Sequence, residues 1–149
     1  MCWIINLINL KKIFIASDHA GYKLKKSIIS KFAKTKKIVD LGPHSTDSVD
    51  YPDFAKKLCK MINFNKGSFG ILVCGSGTGM AIAANKIKNI RAAMCFNVKI
   101  TKLSRLHNNA NIITLGGRLI DKNKAFNLIK IFLSTKFEGG RHLRRVKKM

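Results

Sequence analysis

The 149-residue sequence predicts an α/β fold in which a parallel β-sheet is covered by helices on both faces. Short apolar runs with strand character alternate along the chain with amphipathic helical segments, and this order favours right-handed crossovers between parallel strands. Each apolar run also ends in polar or glycine-rich residues, as expected at the sheet edge where α/β proteins bind ligands. No repeat or low-complexity linker interrupts the pattern, so residues 1–149 are expected to form one domain.

The elements are predicted in the following chain order: strands at residues 12–16, 37–41, 69–74, 91–96 and 112–115, and helices at 22–36, 52–61, 80–85, 97–106 and 121–134. In the first helix Leu24, Ile28 and Phe32 recur at helical spacing, with lysines between them. Ser17 or Asp18 can cap that helix. Gly42-Pro43 ends the second strand, and Pro52 suits the first turn of the second helix.

The two ends of the chain are expected to lie outside this pattern. Residues 1–10 are interpreted as an N-terminal extension, because they lack a basic region and a cleavage site and are too short to span a bilayer. Residues 136–149 are interpreted as a basic C-terminal tail. The four cysteines form no C-x-x-C pair, so reduced thiols in the cytoplasm are expected, with no membrane partner.

The charge balance is unusual, since 29 Lys and Arg face only 7 Asp and Glu, for a formal net charge of +22. This excess raises the possibility of a nucleic-acid-binding protein. The cations are spread along the whole chain, however, and the sequence contains no helix–turn–helix, zinc-finger or RNA-binding motif. A solvated background charge that attracts anionic small molecules is therefore favoured, without a specific nucleic-acid partner.

The glycine-rich turn Cys74–Gly79 follows a buried strand and precedes a helix, so its amides and the helix dipole are expected to form an anion site. A dinucleotide fingerprint would need Gly or Ala at its sixth position, which is Met80 or Ile82 here. No Gly-Lys-Ser/Thr closes a Walker loop. The sequence also has no acid between Asp53 and Asp121, so the ionisable candidate is Cys74. The alternative for Cys74 is a small buried apolar residue.

Several motifs together resemble the type B ribose-5-phosphate isomerases, a family that includes the galactose-6-phosphate isomerase subunits. They are Ser17–Gly21, Asp50–Pro52, Cys74–Lys86, Ile90–Ala92, Arg105–Asn108, Leu115–Arg118 and Phe137–His142. The resemblance implies a Rossmann-like three-layer α/β/α sandwich with a five-stranded parallel sheet. It also implies a homodimer, sometimes a tetramer, whose active site lies between subunits and needs no metal or organic cofactor.

The resemblance implies a role for each matching residue. Cys74 would be the general base, because Thr78 or Met80 occupies the position where another branch of the family carries a loop Glu. His107 would open the sugar ring with Asp18, and Ser76 would help stabilise the enediolate. Substrate binding would involve His19, Tyr51, Gly75, Gly77, Thr78, Gly79, Asn108, Arg118, Arg141 and Arg145, with Arg141 and Arg145 holding the phosphate.

Alternatives remain for several of these residues. Packing at the entrance is an equal alternative for Tyr51, and charge at a helix start is the alternative for Asp50. His107 taken alone would be a helix C-terminal charge, and His142 and Arg144 are interpreted as surface charge. The expected activity is interconversion of ribose 5-phosphate and ribulose 5-phosphate, and the alternative is a six-carbon substrate, galactose or allose 6-phosphate.

Overall fold

The computed structural model describes residues 11–149, so the extension expected at residues 1–10 lies outside the described part. Five strands form one parallel sheet: β1 (Ile13–Ser17), β2 (Ile38–Asp40), β3 (Phe69–Cys74), β4 (Ala92–Met94) and β5 (Ile112–Gly116). Their order across the sheet is β2-β1-β3-β5-β4. Every residue of β1, β3 and β5 is buried, which explains their nearly continuous apolar sequences.

Helices cover both faces of the sheet: α1 (Tyr22–Phe32), α2 (Tyr51–Phe64), α3 (Thr78–Asn85), α4 (Val98–Asn108), α5 (Lys122–Ser134) and α6 (Arg141–Val146). One apolar cluster joins the sheet to α1, α4 and α5. A second cluster joins the opposite face to α2 and α3. The expected three-layer α/β/α arrangement with a five-stranded parallel sheet is confirmed. Within residues 11–149 no helix combines the length and the apolar character needed to cross a bilayer.

Some boundaries differ from the sequence prediction. Helix α1 ends at Phe32 because the amides of Thr35 and Lys36 both donate to the Phe32 carbonyl and close a turn. Helix α3 begins at Thr78, so the last two residues of the glycine turn Cys74–Gly79 are also the first two residues of the helix. The segment interpreted as a basic tail contains α6, a short helix that lacks the apolar periodicity on which the other helices were predicted.

The sheet order creates a crevice between β1 and β3. The connection after β1 leads to β2 on one side, whereas the connection after β3 leads to β4 on the other side. At such a switch point the loops at the carboxyl ends of the two strands separate, and ligands bind between them. Asp18 and Gly75 directly follow these two strand ends, which positions their loops for a shared site.

Lys25 is completely buried, although the lysines of this helix were expected on its solvated face. Its Nζ lies 2.7 Å from Asp40 Oδ1 and donates to the Pro43 carbonyl at 2.6 Å. The Asp40 side chain is 22% exposed and also accepts a hydrogen bond from the Gly42 amide. The pair therefore joins α1 to the end of β2 and shapes the loop that follows.

We expect loss of the Asp40 carboxylate to lower the free energy of unfolding more than loss of the Lys25 ammonium group. Asp40→Asn leaves a fully buried cation without its counter-charge and should lower the free energy of unfolding by about 3 kcal/mol. Lys25→Met removes the buried charge and leaves a carboxylate that solvent reaches, so the loss should be about 1–2 kcal/mol. Urea denaturation of both variants measures the difference, and a larger loss for Lys25→Met would contradict this account.

Candidate active site

Cys74 ends β3 with its side chain turned into the glycine turn. Its Sγ accepts a hydrogen bond from the Gly77 amide at 3.1 Å, and the residue is 5% exposed. Gly77 makes this contact possible because it adopts φ +85°, a left-handed conformation that favours glycine. The contact fixes the sulfur inside the turn, beside its backbone amides at the carboxyl end of β3.

The amides of the turn divide into two groups. The Gly77 amide donates to Cys74, and the Thr78 amide donates to the Ser76 hydroxyl at 3.2 Å. The amides of Gly75, Ser76 and Gly79 donate to no group within residues 11–149. Two of the five amides from Gly75 to Gly79 are thus engaged inside the turn, and the other three donate to no group of the described residues.

Close backbone contacts hold the turn in place. A Cβ on Gly21 would lie 2.3 Å from the Val73 carbonyl oxygen, and one on Gly116 would lie 2.7 Å from the Ser76 carbonyl oxygen. These glycines allow the loop after β1 and the end of β5 to pack directly on the residues around Cys74. The Gly117 amide also donates to the Cys74 carbonyl at 2.7 Å, which ties the end of β5 to the turn.

Asp18 and His19 lie on the loop after β1, beside the glycine turn. The Asp18 amide donates to the Val73 carbonyl, and Asp18 Oδ1 accepts from the Gly21 amide at 2.9 Å. The N-cap of α1 is Gly21, so Asp18 braces the loop and does not cap the helix. His19 Nδ1 accepts from the Val49 amide at 3.3 Å, which leaves Nε2 as the donor of a neutral ring.

Three further residues surround the same turn. The Arg118 guanidinium lies over Gly75, with Nη1 3.3 Å from the position of a Cβ there. The Tyr51 ring lies against Gly79 and is 40% exposed. Thr78 Oγ1 donates to Met94 Sδ at 3.1 Å and connects α3 to β4. These side chains complete the border of the site at the carboxyl edge of the sheet.

His107 lies in the last turn of α4, which is also where a helix C-terminal charge would lie. Its ring stacks on that of His142, with centroids 4.2 Å apart and an interplanar angle of 12°. His107 Nε2 also lies 3.9 Å from Glu138 Oε2. Asn108, Arg141 and Arg145 are exposed on α4 and α6 around this pair. A second group of candidate residues therefore assembles between α4 and α6.

The interpretation of His142 as surface charge is wrong, because the residue is 5% exposed and packs under His107. Burial, and then the neighbouring His107, lower the pKa of His142. Arg144 is exposed, as expected. Sequence reasoning assigned no role to Glu138. Its spacing of four residues from His142, just before α6, was the available signal for a pair on one side of this segment.

The two groups lie at opposite edges of the sheet. Cys74 pairs with Gly116 at the carboxyl end of β5, whereas His107 precedes the amino end of β5 at Ile112. The five residues of β5 span about 13 Å between these ends. Within one chain, His107, Asn108, Arg141 and Arg145 are therefore not brought to the thiol.

A basic cleft of about 840 Å³ opens beside Asn108, between the segment that joins α3 to β4 and the end of α6. Its cations are Lys86, Lys88, Arg91 and Lys147. Arg91 is held by the carbonyls of Asn108 and Asn109, in keeping with a structural role for this residue. The cleft adds positive potential on the side of His107, where an anionic ligand would be attracted.

The remaining described cysteines do not share the setting of Cys74. Cys59 and Cys95 are buried in the two apolar clusters, and Cys2 lies outside the described residues. Burial raises the pKa of Cys59 to about 12 and also raises the pKa of Cys95. Both thiols stay protonated near neutral pH and pack as small apolar residues of the core.

Comparison with known proteins identifies the arrangement. The model of the ribose/galactose isomerase family matches residues 13–149. Ribose-5-phosphate isomerase B of Escherichia coli is 36% identical over 138 residues, which cover 92% of this chain and 93% of that protein. A putative sugar phosphate isomerase of Rickettsia bellii is 48% identical over 138 residues, covering 92% and 96%.

Solved structures agree. A ribose 5-phosphate isomerase of Thermotoga maritima superposes with a TM-score of 0.91 at 50% identity, over 94% of this chain and 97% of that chain. A ribose-5-phosphate isomerase B of Mycoplasma genitalium superposes with a TM-score of 0.88 at 43% identity, over 92% of each chain, and that structure contains bound ribulose 5-phosphate.

The close packing around the turn makes a prediction about two glycines. Gly21→Ala places a methyl group on a backbone carbonyl that cannot move, so it should lower the free energy of unfolding by about 3 kcal/mol. Gly79→Ala meets only the partly exposed Tyr51 ring and gains helix propensity, so its net cost should be under about 1 kcal/mol. Urea denaturation tests the order, and equal losses would show that the loop after β1 is not held by this contact.

Proposed function

The chain belongs to the ribose/galactose isomerase family, and we propose that it interconverts ribose 5-phosphate and ribulose 5-phosphate. The observation that carries the proposal is the setting of Cys74, a thiol at a strand end that accepts an amide hydrogen bond within a glycine turn. An aldose–ketose isomerisation needs a base that removes the C2 proton and returns it to C1. Cys74 is our candidate for this base, because the turn offers no carboxylate.

The same turn supports stabilisation of the intermediate. Removal of the C2 proton puts negative charge on the oxygen atoms of a cis-enediolate. The available amides of Gly75, Ser76 and Gly79 are preorganised donors for this charge, and the Ser76 hydroxyl is exposed beside them. We assign the turn to the enediolate and not to the phosphate, because Arg141 and Arg145 offer the phosphate charge-assisted hydrogen bonds.

Phosphate binding and ring opening are assigned to residues from both groups, the one around Cys74 and the one around His107. Arg118 and His19 lie at the carboxyl edge of the sheet, in the group around Cys74. Arg141 and Arg145 belong to the group around His107. His107 supplies an imidazole that can take the C1 hydroxyl proton as the furanose opens, and Asp18 lies beside the turn to contact the ring. Asn108 is our candidate for a sugar hydroxyl contact.

We infer that a second copy of this chain brings the groups together. A two-fold partner whose strands run in the opposite direction places its His107 edge against the Cys74 edge, and the symmetry forms two such sites. Four exposed apolar residues lie on α3, on β4, in the loop after β4 and at the start of α4, around a sheet edge where no strand of residues 11–149 pairs: Ile82, Met94, Phe96 and Val98. Such a surface supports an interface between copies.

A cytoplasmic location is part of the proposal. Cys59, Cys74 and Cys95 are free thiols, and a reducing compartment keeps them so. The general base that we assign to Cys74 depends on that state, since a thiol that has formed a disulfide cannot accept a proton.

We expect Cys74→Ala to lower kcat with ribose 5-phosphate by at least about 100-fold, because it removes the general base and little volume. Detection of ribulose 5-phosphate in a coupled assay measures the loss. Cys59→Ala is the matched control, since it removes a buried thiol of α2 that has no place in the proposed chemistry, and this variant should stay active. Undiminished turnover by Cys74→Ala would exclude this thiol as the base.

The same assay with galactose 6-phosphate and allose 6-phosphate decides between five-carbon and six-carbon substrates. We expect a higher kcat/KM with ribose 5-phosphate. A clear preference for either six-carbon phosphate would replace the proposed substrate and leave the isomerase chemistry in place.

A heterodimer of Cys74→Ala and His107→Ala chains, purified through two different tags, tests the shared site. If each site takes Cys74 from one chain and His107 from the other, one of the two sites is intact and about half of the activity returns. The matched control pairs an unmodified chain with a chain that carries both substitutions. This pair should be inactive, whereas a site within one chain predicts the reverse result for the two heterodimers.

A further inference from the structure

Three groups that can bind a metal ion converge between α4 and α6. His107 Nε2 lies 3.9 Å from Glu138 Oε2, and His142 Nε2 lies 4.0 Å from Glu138 Oε1. One ligand atom from each of the three residues lies within 4.8 Å of the other two. These separations are too long for hydrogen bonds, so the two imidazoles and the carboxylate face one another without bonding directly.

His142 gives an independent reason to place a ligand there. Its Nε2 is buried and has no hydrogen-bond partner in the described part of the chain. A buried polar atom left without a partner costs about 1–3 kcal/mol, so such atoms usually bind something. Here the unpartnered nitrogen is one of the three ligand atoms of the cluster and lies 4.0 Å from Glu138 Oε1.

The ligand set has a clear chemical preference. Two imidazoles and one carboxylate bind Zn²⁺ at about 2.0–2.2 Å and leave a fourth position open to solvent. His107 and Glu138 are 37% and 55% exposed, so small side-chain rotations can close the gap. The main adjustment is a tilt of the His107 ring out of its stack on His142, because parallel rings cannot both point at one ion.

Nearby charges narrow the choice of ion. Arg141 and Arg145 lie on the same short helix as His142, and only one carboxylate belongs to the cluster. Mg²⁺ and Ca²⁺ depend on several oxygen ligands and are disfavoured in this positive surrounding. Zn²⁺, Co²⁺ and Ni²⁺ bind imidazole nitrogen well and depend less on net ligand charge.

We propose that His107, Glu138 and His142 form an inhibitory site for a divalent transition ion of the Zn²⁺ class. The ion takes the Nε2 lone pair of His107, which can then no longer receive a proton from the sugar. The binding part of the inference stands on the cluster alone, whereas the inhibition rests on the proposed function. The ion acts here as an inhibitor and not as a cofactor.

Binding is tested on the metal-free, full-length protein with Co²⁺ as a spectroscopic probe, displaced by Zn²⁺. We expect one Co²⁺ per chain with an absorption spectrum of nitrogen and oxygen ligation, and no displacement by Mg²⁺. Glu138→Gln, at an exposed position that should not affect folding, should weaken binding by more than about tenfold, as should His142→Gln. His44→Gln is the matched control, since His44 is exposed on a loop outside the cluster.

The spectrum must also survive Cys74→Ala, because Zn²⁺ and Co²⁺ bind thiolates as well. Absence of a Co²⁺ spectrum, or equal affinity in Glu138→Gln, overturns the site. A spectrum with thiolate character that disappears in Cys74→Ala also overturns it.

Inhibition is tested separately by turnover of ribose 5-phosphate. One equivalent of Zn²⁺ per chain should abolish most of the activity, and a chelator should restore it. At the same Zn²⁺ concentration, Glu138→Gln should turn over ribose 5-phosphate at the rate that this variant shows without metal. Binding without inhibition overturns the inhibitory part. An enzyme without turnover in metal-free buffer contradicts the proposed function, while the Co²⁺ measurement still decides the site.

Discussion

The common direction of the five strands is the constraint on which the candidate site depends. In a parallel sheet every residue that follows a strand lies at one edge, and every residue that follows a crossover helix lies at the other. Asp18 and Arg118 follow strands and Cys74 ends one, whereas His107 belongs to α4, which returns to the amino end of β5. Arg141 begins α6, which packs beside α4. The chemistry assigned to one reaction is thus divided by the topology, and a two-fold partner is the simplest arrangement that reunites it.

The glycine turn combines close backbone packing with the candidate catalytic thiol. Gly21 and Gly116 let two neighbouring loops approach the backbone around Cys74, and Gly77 turns its amide onto the sulfur. The turn is therefore held by backbone contacts that a side chain would disrupt, not by long side chains that would have to be ordered on binding. This arrangement keeps the remaining amides directed at the site before any ligand arrives, which is what stabilisation of a transient charge requires.

The sequence predicted the sheet and the carboxyl-edge group well, because buried parallel strands are continuous apolar runs and their ends carry polar residues. It failed where a contact between distant segments decides the structure. Helix α6 has six residues with three arginines, and its position depends on the stack of His142 on His107. Lys25 was assigned to solvent because its acidic partner lies fifteen residues away on another element. The division between edges follows from strand direction, but composition and motifs do not reveal it.

The position of α6 determines what the loss of the C-terminal residues would do to the protein. Within residues 11–149 neither apolar cluster includes a residue beyond Leu133, so the last segment adds side chains to the site without supporting the core. The residues that form the core and the last group of candidate site residues are therefore in different segments of the chain. In the proposed two-fold arrangement, proteolytic trimming from the carboxyl terminus would remove the arginines that we propose for phosphate binding while sparing the sandwich, and the trimmed chain would leave its partner's Cys74 without them.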